Sequence, residues 1–185
     1  MMRLLFKIKF TTQKEEIMVQ NWIEFIKNSD YMRVKKYIKD GADVNDANDT
    51  GESVLAYAIR CRCDNELLMM LIDNGADIYD FDNEGVSIFD MSITYDNIEM
   101  VKYIIDKGID VNSTHRRSKF TPLMAAASYG RVSIVKLLID NGAKKDLLDI
   151  KGFSAIDFAR KMNKKSVLEV LEYDENSPQN RAYAR

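Results

Sequence analysis

Apolar residues recur at one helical spacing ahead of four glycines: Val34, Tyr37 and Ile38 before Gly41; Leu68, Leu71 and Ile72 before Gly75; Val101, Ile104 and Ile105 before Gly108; Val135, Leu138 and Ile139 before Gly142. Residues three and four apart share one helix face, so each run predicts a helix with a single buried stripe. The glycines are 34, 33 and 34 residues apart. A second marker runs in phase with the first: Ser53-Val54-Leu55-Ala56-Tyr57-Ala58, Ser87-Ile88-Phe89-Asp90-Met91-Ser92, Thr121-Pro122-Leu123-Met124-Ala125-Ala126 and Ser154-Ala155-Ile156-Asp157-Phe158-Ala159. Two independent markers in register predict stacked units of one design rather than a single irregular globule.

Each marker has a physical task. The Ser or Thr accepts from the free N–H groups at a helix start, Pro122 occupies a first position that needs no donor, and Asp90 and Asp157 complete S-x-x-D capping boxes. These residues therefore open the first helix of each unit. The apolar stripe belongs to the second helix, which the glycine ends by taking a left-handed conformation that a side chain resists. A turn or hairpin finger then leads to the next unit. The run Gly41-Ala42-Asp43-Val44-Asn45 opens such a finger and returns as Gly75-Ala76-Asp77-Ile78 and Gly108-Ile109-Asp110-Val111-Asn112.

Together these residues resemble the ankyrin repeat, a 33-residue unit of a β-turn and two antiparallel helices with a T-P-L-H-x-A signature. The resemblance spans roughly residues 17–173 and is strongest in Thr121 to Ala143, TPLMAAASYGRVSIVKLLIDNGA. Departures stand beside it: the family's histidine is missing from every unit, only Pro122 keeps the proline, and Lys119 replaces the glycine found at Gly51, Gly85 and Gly152. The fold implied is an all-α ankyrin-repeat solenoid of about five helix-turn-helix units joined by β-turn or hairpin fingers. The expected organisation is an amino-terminal extension (1–16), a repeat domain (17–174, units near 17–49, 50–83, 84–117, 118–150 and 151–174) and a polar tail (175–185). The end units are expected to act as caps. Phe25 takes the place of the small residue found at Ala58, Ser92, Ala126 and Ala159, and Glu172 stands where the preceding units have Ile.

Composition adds exclusions. Hydrophobic residues make up 46% and charged residues 30% of the 185, which is ordinary globular usage and excludes disorder for most of the chain. The net charge of −2 gives no overall field toward phosphate backbones or anionic lipids. Two cysteines one residue apart, Cys61 and Cys63, cannot staple a fold, so a reducing compartment is expected. No apolar run approaches the roughly 20 residues that cross a bilayer. Met1 to Phe10, MMRLLFKIKF, is basic and apolar, but its uncharged run ends at Lys7 with no A-x-A-like site, which argues against a signal peptide. A soluble cytoplasmic protein is expected, or one delivered to a host cell if the source is a pathogen.

No catalytic constellation stands out. The only histidine, His115, lies beside Arg116 and Arg117 in a finger loop, where a solvated loop residue is a simpler reading than a catalytic base. One His and two Cys fall short of a closed zinc site, and the Cys61-x-Cys63 turn is one residue longer than its counterparts, as an insertion would make it. The scattered carboxylates single out no acid–base pair, and no Gly-rich phosphate loop occurs. No enzyme activity, cofactor or small-molecule substrate is expected.

What the resemblance implies is protein binding on a concave face of first helices and fingers. Carrying the family's variable contact positions onto this chain gives Asp49, Thr50, Glu52, Arg60 and Cys61, then Asn83, Glu84, Val86, Thr94 and Tyr95. The following units give Arg117, Ser118, Phe120, Ser128 and Tyr129, then Ile150, Lys151, Phe153, Lys161 and Met162. Within this set Glu52, Arg60, Val86, Thr94, Tyr95, Arg117, Phe120, Ser128, Tyr129, Phe153, Lys161 and Met162 are the candidate partner contacts. Tyr95, Phe120, Tyr129 and Phe153 form an aromatic series suited to an interface. Finger charge changes from acidic (Asp46, Asp49, Glu52, Asp80, Asp82, Glu84) to basic (Arg116, Arg117, Lys119, Lys151) along the chain. The function expected is a non-catalytic protein-binding module, monomeric and bound to a protein partner. The alternatives are an effector or regulatory array that targets a host or cellular enzyme, and nucleic-acid binding through the basic finger.

Overall fold

Short polar side chains cap six helix starts in the structure, a computed structural model that describes residues 20–172, while the helices that follow Arg131 and Lys164 begin without a side-chain cap. The expected extension 1–16 and tail 175–185 lie outside those residues. The chain divides into two units, residues 1–97 and 98–185. The division falls inside the stretch 84–117 that the sequence period treats as one repeat.

The N-terminal unit begins with a helix over residues 20–27 (α1), followed by α2 (Tyr31–Lys39), α3 (Val54–Arg60), α4 (Asn65–Asp73) and α5 (Ile88–Thr94). Asp30, Ser53, Asp64 and Ser87 each accept an amide N–H from the first turn of the helix they precede. At Ser87 the box closes, because the Asp90 carboxylate also accepts the Ser87 amide and hydroxyl. Of the predicted stripes, Val34 of α2 and Leu68 and Leu71 of α4 are buried while Tyr37, Ile38 and Ile72 are half-buried; Leu67 of α4 and Leu55, Ile59, Phe89 and Ile93 of the first helices complete the core. Trp22 closes one end of this core. Its ring meets Tyr37 edge-on at 5.0 Å and its indole N–H donates to Asp46 at 3.1 Å, which satisfies the one polar atom that burial would otherwise strand.

In the C-terminal unit α6 (Ile98–Asp106), α7 (Pro122–Tyr129), α8 (Val132–Asp140), α9 (Ala155–Lys161) and α10 (Lys165–Leu171) repeat the arrangement. Ala125, Ala126, Ala127 and Ala159 are buried where α7 packs on α9, and such small side chains permit close helix approach. Ser154 and Asp157 form a full capping box that holds the Asp157 carboxyl below its usual range, chiefly through the Ser154 hydroxyl and then the Ser154 amide. In α7 the corresponding residue is Met124, whose sulfur accepts the Thr121 amide at 3.4 Å, a weaker acceptor than a carboxylate.

Fingers are held by asparagine clips. Asn45 donates to Gly75 O and accepts from Asp77 N, both at 2.9 Å. Asn112 does the same with Gly142 O (3.1 Å) and Lys144 N (2.8 Å). Within each unit one finger tip also touches the next, through Asn83 N to Thr50 O in the N-terminal unit and Ile150 N to Ser118 O in the C-terminal one. No sheet forms among the described residues, only isolated bridges at Ala47–Ser53 and Phe81–Ser87. The protein is thus an all-α repeat solenoid in its local construction, and no described helix is long and apolar enough to cross a membrane.

Lys119 is the exception among the finger residues. It sits at φ +56°, in the left-handed region, where Gly51, Gly85 and Gly152 sit at +78°, +77° and +81°. A Cβ there costs free energy that glycine does not incur. Lys119→Gly is therefore expected to raise the unfolding free energy by about 0.5–1 kcal/mol, read from thermal or urea unfolding. An unchanged or lower stability would show that the lysine is not strained.

Candidate interaction surface

Within the N-terminal unit the candidate contacts lie at the start and end of the first helices, and some are engaged with one another. Arg60, at the end of α3, forms a fork with Glu52: Nε to Oε1 at 2.6 Å and Nη2 to Oε2 at 2.9 Å. The guanidinium also lies 4.8 Å from the Tyr57 ring centre. Glu52 is mostly buried in this pair, so it meets a partner only through Arg60. Val86, Thr94 and Tyr95 are half-buried. Two residues outside the sequence-derived set are more open: Tyr79 at 50% and Phe81 at 47% exposure, both in the second finger.

Cys61 and Cys63 occupy the lengthened turn between α3 and α4, with Arg62 left-handed at φ +58°. Cys63 is buried, its thiol pushed up to about 11 chiefly by desolvation, and it donates to Ile26 O at 3.6 Å. Beside it Tyr31 donates its hydroxyl to Asp64, the cap of α4, and this bond pushes Tyr31 up to about 12. The turn is thereby fastened to the preceding helix pair. His115 is exposed in its finger, and among the described residues no group of three or more His, Cys, Asp or Glu is placed to hold a metal ion.

The C-terminal unit presents more apolar surface. Phe120 and Phe153 precede the caps of α7 and α9, and both point toward Phe158, at ring distances of 4.9 and 6.1 Å. The two differ in availability: Phe120 is half-buried with the Arg116 guanidinium 5.3 Å from its ring, while Phe153 is 43% exposed with Lys161 Nζ 5.9 Å away. Both cations lie within the range of a ring-face attraction. At the far ends of the same helices Tyr129 is 49% and Met162 is 48% exposed. Arg117 is exposed on its finger.

Ser128 is placed differently. Its hydroxyl is shut off from solvent and has no hydrogen-bond partner among the described residues, so it is not offered to a partner. Leaving a hydroxyl desolvated and unpaired costs on the order of 1–3 kcal/mol. Ser128→Ala is expected to stabilise the protein by about 1 kcal/mol in urea unfolding; a loss of stability would reveal a bond that the hydroxyl does make.

Charge separates the two sets of fingers. Residues 40–53 and 74–87 hold nine carboxylates and no Lys or Arg, whereas residues 107–121 and 141–154 hold seven Lys or Arg and three carboxylates. The overall −2 therefore conceals a strong internal polarity, which the composition alone does not display.

A family model described as ankyrin repeats (3 copies) matches residues 23–115 and 113–181. The chain belongs to the ankyrin-repeat family. Such repeats are in general protein–protein interaction modules and are typically non-catalytic. The chain is 41% identical over 107 residues to the E3 ubiquitin-protein ligase hecd-1 of Caenorhabditis elegans, covering 57% of this chain and 4% of the ligase. It is 38% identical over 85 residues to the ankyrin repeat protein R664 of Acanthamoeba polyphaga mimivirus, which covers 45% of this chain and 52% of that one. The human palmitoyltransferase ZDHHC13 is 33% identical over 103 residues, 56% of this chain and 16% of the enzyme. The chain thus spans between a twenty-fifth and about half of the length of these relatives.

Proposed function

We propose that the chain is a non-catalytic protein-binding module whose partner lies on the faces built by the first helices and the fingers. One observation carries this reading: in the C-terminal unit Tyr129, Phe153 and Met162 stand exposed on a platform of two helices packed through fully buried alanines. Large apolar side chains held in water by a rigid scaffold are the raw material of interface anchors, since removing them from water on association is favourable and little side-chain freedom is lost.

Capture from lysate of the source cell tests the reading, with the native protein and the Tyr95→Ala/Tyr129→Ala double variant as parallel baits. A protein retained only by the native bait supports it. Equal retention by both baits removes the assignment to these faces.

A further inference from the structure

We propose that the finger-and-helix face of the C-terminal unit is specific for an extended acidic segment of the partner protein in which carboxylates are interspersed with apolar side chains. The inference rests on the protein-binding reading above and adds the chemistry of the bound segment.

The first support is the way charge is used on this face. Asp110 accepts the Asn112 amide, Asp149 accepts the amides of Lys151 and Phe153, Asp157 is held in its capping box, and Glu172 pairs with Arg160 at 2.7 Å. Of the carboxylates on these fingers and helices, these four are thus tied to backbone amides or to Arg160, while Asp146 is exposed without such a partner among the described residues. Arg117, Lys119 and Lys151, by contrast, make no ion pair among the described residues. Seven cations against three carboxylates leave these two touching fingers with a net positive charge, which attracts carboxylates, and the attraction grows when an apolar contact excludes water beside it.

The second support is Lys119 itself. The equivalent finger position is glycine in the other repeats, and the chain holds a lysine there in a left-handed conformation that opposes it. Ser29, Arg62, Asp96 and Asn163 are also left-handed, but in turns between helices; among the described finger residues Lys119 is the non-glycine residue that is, which points to a task for its exposed side chain. A cation projecting from the finger tip supplies that task.

The third support is the neighbourhood. Phe153, Tyr129 and Met162 give exposed apolar docking points beside the cations. The acidic fingers 40–53 and 74–87 belong to the N-terminal unit, so the excess of cations is confined to the fingers 107–121 and 141–154. A short acidic–apolar peptide segment meets all three conditions on the C-terminal unit.

Fluorescence anisotropy on the full chain tests the proposal. The probes are a labelled peptide of repeated Glu-Glu-Leu, its Lys-Lys-Leu counterpart and a short single-stranded RNA of equal length. The Glu-Glu-Leu peptide is expected to bind, and Lys119→Glu with Lys151→Glu to weaken it by about tenfold or more. Lys119→Gly, which tests the same cation without adding a charge, is expected to weaken it about threefold while the protein melts no lower than the native chain. Absence of Glu-Glu-Leu binding, unchanged affinity in these variants, or preference for the RNA overturns the proposal. If the Lys-Lys-Leu peptide binds instead and Tyr129→Ala weakens it, the acidic-segment inference fails while the protein-binding reading stands.

Discussion

Leu123→Ala is expected to lower the unfolding free energy by about 2–5 kcal/mol, measured by urea unfolding followed through helical circular dichroism. Leu123 is 1% exposed and lies in α7 directly after Pro122, in a helix whose residues from Pro122 to Ala127 are all buried. Truncation removes apolar burial and leaves a void, which α7 cannot collapse to fill because Ala125, Ala126 and Ala127 already hold its neighbours close. A domain of ordinary stability has only about 5–15 kcal/mol to lose, so the effect is a large shift of the transition. Lys136→Ala, on the exposed side of α8, is the control and is expected to change stability by less than about 0.5 kcal/mol. A neutral Leu123→Ala would mean that the register placing the T-P-L run against the interior is wrong.

The second large effect concerns binding. Tyr95→Ala with Tyr129→Ala is expected to cost about 2 kcal/mol or more in partner affinity, roughly thirtyfold, with little change in helicity or cooperative unfolding. The stability side follows from position: Tyr95 is the C-cap of α5 and Tyr129 the last residue of α7, and neither ring is fully buried. The affinity side follows from the residue type, since a tyrosine loses little freedom on docking and offers both an apolar ring and a hydroxyl. Retained affinity would place the partner elsewhere on the chain.

The repeat was legible because its determinants are local. Ser53, Ser87, Thr121 and Ser154 act on amides within one turn, and the apolar stripes need only the pitch of a helix, so both can be read without knowing what packs where. Met124 shows where that reading thins: its sulfur takes the place of the Asp90 and Asp157 carboxylates, an exchange that no capping pattern anticipates. The contacts of the candidate site depend instead on side chains that meet across several turns. Glu52 and Arg60, eight positions apart, satisfy each other rather than standing open. Phe120 and Phe153 hold equivalent positions in the period, yet Phe120 is half-buried against Phe158 and Arg116 while Phe153 remains open.

Tyr79 and Phe81 were missed for a related reason. They fall between the two markers, at finger positions taken by Asn45 and Ala47 in the preceding repeat, where exposure follows from the hairpin and not from helical pitch. Tyr79 in place of the clip residue seen at Asn45 and Asn112 is the sequence signal that marks this finger as different. The contrast in finger charge was visible in the residues. That Arg117, Lys119 and Lys151 make no ion pair among the described residues, while Asp110 and Asp149 accept backbone amides, required the structure.

The measurement that bears most directly on the central claim is a calorimetric titration of the captured partner against the native chain and the Tyr95→Ala/Tyr129→Ala variant, with thermal unfolding of both run alongside. The account predicts affinity weaker by about thirtyfold in the variant at a nearly unchanged unfolding temperature. Equal affinity in the two proteins would contradict the assignment of partner binding to the first helices and fingers.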